Sequence, residues 1–136
     1  MHTYNPLELP DTIGNIAKKL PLEALDKFCW INCSWYKEIQ YELRRRWKTQ
    51  ELEYCKLEHE QELEMKEVER KYPHDLYMQG HLHCGIWKTY CRREHETDKK
   101  QVEIESYMLR NGMLYGQEKE MVKYHIQHIA KDPWPF

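Results

Sequence analysis

The segment from residue 48 to residue 72 constrains the fold more than any other, because it contains neither Gly nor Pro. Most of its residues are Glu, Leu, Lys and Gln, which all favour helices. Glu62 and Lys66 have the i,i+4 spacing, acid first, that stabilises a helix. The apolar residues form no clean heptad, which a coiled coil would need over three or four repeats. We therefore predict a charged, solvent-exposed connecting helix over residues 48–73, ended by Pro73.

The region before this helix, residues 1–47, is predicted to be a short irregular arm followed by three short helices. Asp11 can cap a first helix whose apolar residues share one face. Pro21 fits the first turn of a second helix, where its missing N–H costs nothing. Apolar residues recur every fourth position in the third helix, at Trp35, Ile39, Leu43 and Trp47.

The region after Pro73, residues 74–136, is predicted to form a small antiparallel β-sheet. Residues 83–90 and 102–109 are rich in aromatic and branched side chains and have an apolar period near two. Asn111-Gly112 follows the second of these segments, and this dipeptide is a strong hairpin signal. The predicted fold class is therefore α+β: a three-helix module, a long charged helix and a C-terminal sheet.

An alternative for the end of the chain is a helix over residues 117–130. Its apolar face would consist of Met121, Val122, His125 and Ile129. The last six residues include two prolines and are predicted to be irregular.

Composition argues against several classes of function. The net charge is −2, and the basic run Arg44-Arg45-Arg46 is flanked by acidic segments, so no nucleic-acid partner is expected. No apolar run approaches the roughly 20 residues of a membrane span, and no signal peptide is evident, so no membrane partner is expected. The five Cys form no disulfide-like framework. A cytoplasmic or nuclear location is expected.

The N-terminal pattern LPDTIGNIAKKLPLEALDKFCWINCSWYKEI resembles an F-box, over about 40 residues starting at Leu9. It has two Leu-Pro landmarks, an apolar helix between them, and Trp35 ten residues after Leu25. The first segment is one residue shorter than is usual in the family. The resemblance implies a partner, the Skp-type adaptor of a cullin ubiquitin ligase. The implied partner-binding residues are Leu9, Pro10, Ile13, Ile16, Leu20, Pro21, Leu25, Phe28, Ile31 and Trp35.

Packing considerations support this expectation but leave an alternative open. Three helices of this size cannot bury all their apolar faces, and an exposed apolar patch usually marks a partner site. The alternative is that the same residues pack against the rest of the chain as an ordinary helical subdomain.

Two segments of the C-terminal region are similar to MORN-type repeats. Gly80, Leu82 and Cys84 align with Gly112, Leu114 and Gly116, with Gly85 one residue late. The alternative is a small sheet without repeat history, since two copies are too few for a stable solenoid. An F-box joined to MORN-like repeats is a combination found in proteins of large DNA viruses, and the resemblance therefore implies a viral origin.

The sequence predicts neither a zinc site nor a catalytic site. Ligand-type side chains occur at His81, His83, Cys84, Cys91 and His95, but their spacing matches no zinc ribbon, so no metal or cofactor is predicted. No activated nucleophile or phosphate-binding loop stands out, so no enzyme activity is predicted. The predicted function is an adaptor that binds the ligase through the F-box and an unknown target through the C-terminal region. The alternative is a structural protein, such as a minor virion component, whose helices mediate self-association.

Overall fold

The computed structural model describes residues 9–129, and all the regular structure in that range is helical. The five helices are α1 (Pro10–Ala17), α2 (Leu22–Phe28), α3 (Cys33–Lys71), α4 (Leu76–Arg110) and α5 (Gly116–His128). No strand occurs between residues 9 and 129, so the α+β prediction and its C-terminal sheet are wrong. The fold is all-α. The predicted irregular ends, residues 1–8 and 131–136, lie outside the described residues.

The three N-terminal helices begin and end where local chemistry dictates. Pro10 occupies the first turn of α1, and Pro21 precedes α2 with the extended backbone of an N-cap. Asn32 caps α3, because its side-chain oxygen accepts a hydrogen bond of 3.0 Å from the backbone N–H of Trp35. The predicted third helix and the predicted connecting helix are one element, since α3 continues without a break to Lys71.

The second long helix, α4, runs antiparallel to α3, and the two form a helical hairpin. The turn contains Pro73, and Asp75 caps α4 by accepting a hydrogen bond of 3.0 Å from the N–H of Met78. The 39 residues of α3 correspond to a length of roughly 58 Å. We call residues 48–100, which comprise the later part of α3, the turn and the earlier part of α4, the hairpin arm.

The Asn111-Gly112 dipeptide ends α4 and does not form a β-hairpin. Gly112 has a φ of +69°, its N–H donates to Leu109 O, and the next N–H, of Met113, donates to Met108 O at 2.9 Å. These two bonds form a Schellman motif, which needs the same left-handed residue as a type I′ hairpin turn. The dipeptide therefore predicts the position of a turn correctly, but this turn ends a helix and does not connect two strands. The alternative helix at the end of the chain is confirmed, as α5.

The hydrophobic core lies where the two ends of the hairpin meet the short helices. It includes buried side chains from all five helices: Ile13, Ala17, Leu25, Ile39, Leu43, Ile104, Met108 and Val122. Residues 9–47 therefore share their core with residues of the region that was predicted to be a sheet. Among the described helices, none combines the length and the hydrophobicity that crossing a bilayer requires.

Candidate partner-binding surface

The turn between α2 and α3 is held in place by one buried residue, Asn111. Its side-chain oxygen accepts a hydrogen bond of 2.7 Å from Trp30 Nε1, and its Nδ2 donates to Asp26 Oδ1 at 2.7 Å. Because indole only donates and a carboxylate only accepts, these partners fix the orientation of the amide. The Tyr36 hydroxyl donates to the backbone oxygen of Asn111 at 2.8 Å, and Arg110 pairs with Asp26 at 2.8 Å. We call these residues the Asn111 network.

The network displays apolar side chains at the surface around the turn. The exposed fractions are 37% for Phe28, 67% for Trp30 and 55% for Ile31. The ring of Phe28 packs edge-on against Trp35, with centroids 5.9 Å apart, and Trp30 lies against Tyr36 at 5.8 Å. The turn is therefore fixed from beneath while its apolar atoms remain open to solvent.

The residues predicted to bind a partner fall into three groups. Ile13, Leu25 and Trp35 are buried within the chain, so their side chains support the module from inside. Ile16 and Leu20 are half-buried against the core. Exposed positions are occupied by Leu9, Pro21, Phe28 and Ile31. Pro10 starts α1, but its side chain lies outside what the structure describes.

The side chains of the basic run Arg44-Arg45-Arg46 form ion pairs within the folded chain. Arg44 pairs with Glu118 of α5 at 2.8 Å, which ties α3 to α5. Arg45 and Arg46 both bind the buried Glu42, at 2.5 and 3.0 Å. Desolvation raises the pKa of Glu42, but hydrogen bonds from the two arginines outweigh it and hold that pKa below its usual value.

Arg46 also closes the C-terminal end of α1. Its Nη2 donates to the backbone oxygens of Ala17 at 3.1 Å and Leu20 at 2.6 Å. Carbonyls at a helix end have no partner within the helix, so a guanidinium there satisfies them and complements the helix dipole. The position of α1 on α3 therefore depends on this one side chain as well as on apolar packing.

Polar side chains bridge α3 and α4 along the hairpin. Glu105 is fully buried and accepts hydrogen bonds from Trp47 Nε1 at 2.9 Å and Gln101 Nε2 at 2.7 Å, with His125 Nδ1 at 3.0 Å. The Tyr54 hydroxyl donates to Asp98. Burial raises the pKa of Tyr54 well above its usual range, and the hydrogen bond to Asp98 is the second largest cause of this increase. Buried polar groups with specific partners fix the register of two helices that share few apolar contacts.

The hairpin arm has a thin apolar interior. Of its described residues, the buried apolar ones are Leu57, Val68 and Cys91. Large apolar side chains such as Leu52 and Leu63 are exposed on the arm. The two helices alone therefore leave apolar surface uncovered.

The cysteine and histidine residues considered for metal binding or catalysis do not converge. His81, His83, Cys84, Cys91 and His95 all lie on α4, and between residues 9 and 129 no group of three or more Cys, His, Asp or Glu side chains is placed to hold a metal ion. Burial, reinforced by Glu94, raises the pKa of the Cys91 thiol, and burial with Asp26 does the same for Cys29. A raised pKa favours the thiol over the nucleophilic thiolate.

The two MORN-like segments adopt different structures. Gly80, Leu82 and Gly85 lie inside α4, whereas Gly112 and Leu114 lie in the turn before α5. The sequence similarity between the segments therefore corresponds to no shared structural unit.

Comparisons with known proteins found no match: no family model fits the chain, and no curated protein and no solved structure is similar to it. The F-box and MORN resemblances therefore stay predictions.

Sequence reasoning missed the residues that organise this surface. Asn111 was interpreted only as a turn former, and Glu105 was expected on a strand. The Asn-Gly dipeptide was the available signal for Asn111, since a Schellman motif places this residue at the end of a helix. Nothing in the sequence around Glu105 distinguishes it from the many exposed acidic residues.

Proposed function

We propose that the chain is a non-enzymatic adaptor, which binds a Skp-type subunit of a cullin ubiquitin ligase through its N-terminal helices and presents a target protein. The observation that carries the proposal is the exposure of Leu9, Pro21, Phe28 and Ile31 in the segment that resembles an F-box. Exposed apolar patches usually mark protein-binding surfaces, and Phe28, Trp30 and Ile31 are exposed close together at one turn. The adaptor would act in the cytoplasm or nucleus, of a host cell if the chain is viral.

The rigidity of the turn also supports this proposal. Side chains that are ordered before binding lose less entropy when a partner arrives, so more of the contact energy appears as affinity. The Asn111 network provides such ordering for the segment from Phe28 to Trp30. Buried Leu25 and Trp35 would hold the exposed residues in position without touching the partner.

Calorimetric titration of the whole chain with a Skp-type adaptor tests the proposal, and binding in the micromolar range or tighter is expected. Ile31→Asp should weaken binding at least tenfold, because a charge would replace an exposed apolar contact. Tyr124→Asp is the matched control, since Tyr124 is similarly exposed but lies on α5. Absence of binding by a folded chain would refute the proposal, as would equal affinities of the two variants.

A structural role through self-association is the second candidate, and the hairpin arm favours it. Exposed Leu52 and Leu63, above a thin interior, are what a second hairpin would cover in a helical bundle. Sedimentation equilibrium should then show a concentration-dependent dimer that Leu63→Glu dissociates. A chain that remains monomeric at high concentration would rule out this candidate and leave the adaptor proposal unaffected.

A further inference from the structure

The side of α3 that faces away from α4 carries one continuous row of exposed side chains. Leu52, for example, lies about 200° around the helix from Tyr54, whose hydroxyl donates to Asp98 of α4. Positions three or four residues apart continue the row along α3, over a length of roughly 44 Å. We call it the outer row of α3. Its members, all of them exposed, are Tyr41, Arg45, Lys48, Leu52, Lys56, His59, Leu63, Lys66 and Arg70.

The outer row is basic, and the acidic residues of α3 lie beside it. Residues 41–70 include nine Glu, and none of them occupies a position in the row. The two arginines of the row each pair with a Glu three residues away on the same helix. Lys48, Lys56 and Lys66, in contrast, form no hydrogen bond or ion pair with another described residue. The row therefore presents three unpaired ammonium groups along one face.

Three large apolar side chains alternate with these lysines. Tyr41, Leu52 and Leu63 are eleven residues apart, which is close to three full turns, so they point to the same side of the helix. Their exposed fractions are 70%, 70% and 53%. Apolar side chains aligned at helical spacing are covered in protein complexes by a second helix that lies along the first.

The charges restrict which partner can lie there. Glu53 follows Leu52 and Glu62 precedes Leu63, so acidic residues lie about 100° to either side of the row. A wide anionic surface, such as nucleic acid or an acidic membrane, would meet these carboxylates as well as the lysines. A second copy that offered its own outer row would oppose lysine to lysine, which disfavours that pairing. A single helix, with acidic residues beside its apolar face, meets the lysines and the apolar groups together.

We propose that the outer row of α3 binds an acidic amphipathic helix of another protein. The apolar side chains of that helix cover Leu52 and Leu63, and its carboxylates pair with the three lysines. Exposed ion pairs contribute little affinity each, so apolar contact supplies most of the affinity and the charges select the partner. The row contains none of the residues of the exposed turn between α2 and α3. That the docked helix belongs to the ligase target rests on the proposed function; the docking surface itself does not.

Fluorescence anisotropy of labelled synthetic peptides tests the proposal on the whole chain, without any ligase subunit. The first peptide is a helix of about 30 residues, the length of the row, with Leu along one face and Glu beside it. The second has Lys in place of every Glu, and the third has the composition of the first in an order that gives no apolar face. We expect micromolar binding of the first peptide, at least tenfold tighter than that of the other two. Added salt should weaken this binding, because it screens the exposed pairs.

Paired substitutions locate the bound peptide on the chain. Lys56→Glu combined with Lys66→Glu should weaken binding at least tenfold, because two attractive contacts become repulsive. Lys99→Glu combined with Lys119→Glu is the matched control, since it changes the net charge equally at exposed positions of α4 and α5. Circular dichroism should show both double variants folded, because all four side chains are exposed.

Four results would overturn the proposal. They are no binding of the acidic peptide by the folded chain, equal binding of the acidic and basic peptides, and equal affinities of the two double variants. The fourth is a dimer of the chain alone that Leu63→Glu dissociates, since a second copy is then the occupant of the row. None of these measurements includes a Skp-type subunit, so each result leaves the proposed adaptor function to its own titration.

Discussion

Replacement of Asn111 by alanine tests whether the polar network anchors the turn between α2 and α3. The substitution removes a neutral hydrogen bond to Trp30, another to Tyr107 O, and a charge-assisted bond to Asp26. Neutral bonds contribute about 0.5–1.5 kcal/mol each and charge-assisted ones about 1.5–3 kcal/mol. Trp30 and Asp26 are partly exposed and can bind water instead, so the lower end of the sum applies. We expect Asn111→Ala to lower the free energy of unfolding by about 2–3 kcal/mol.

Urea denaturation followed by circular dichroism measures this loss. With a slope of about 1–3 kcal/mol/M, the midpoint should fall by roughly 1 M or more. Asn15→Ala is the matched control, because Asn15 is exposed on α1, and a change within about 0.5 kcal/mol is expected there. If Asn111→Ala changes the stability no more than the control does, the Asn111 network does not anchor the turn.

Three further predictions concern single positions elsewhere in the fold. Because the pKa of Glu42 lies below its usual value of 4.5, its stabilisation is present above that pH and is lost as the pH falls through the lowered pKa. Glu42→Gln should therefore be less stable at pH 7, and the difference should shrink in acid-dependent urea titrations. Gly112→Ala should lower the free energy of unfolding by about 1 kcal/mol, because residue 112 has a positive φ. Gly85→Ala should raise the free energy of unfolding by about 0.5–1 kcal/mol, because Gly85 lies inside α4 with open space around it. Urea denaturation measures both changes. Tyr54→Phe should raise the pKa of Asp98 further, since burial already raises it and the hydroxyl bond opposes that shift; carboxyl NMR titration would detect this, and an unchanged pKa would contradict it.

The helices predicted from sequence are those whose signals are local. The segment 48–72 is predicted to be a helix because it lacks Gly and Pro. The same criterion applies to residues 86–110, which include most of the segments 83–90 and 102–109 that are predicted to be strands. There the aromatic and branched residues suggested a period of two. The spacing that matters is four, as between Ile104 and Met108, both buried on one side of α4. Strand propensity depends strongly on context, and a long stretch without a turn former outweighs it.

The polar contacts that organise the candidate sites were not predictable, because each depends on residues far apart in sequence. Asn111 lies more than 70 residues from Tyr36, and Glu105 lies 58 residues from Trp47. Neither contact can be inferred from a single sequence, because the two partners are so far apart along the chain. An acidic residue in a charged helix is also normally solvated. Glu105 is buried because α4 passes between α3 and α5 at that point, so that Trp47 and His125 both reach its carboxylate. The antiparallel packing of α3 and α4 determines which polar residues become buried. The α+β prediction contains no such helical hairpin, and the buried polar residues therefore could not be predicted from it.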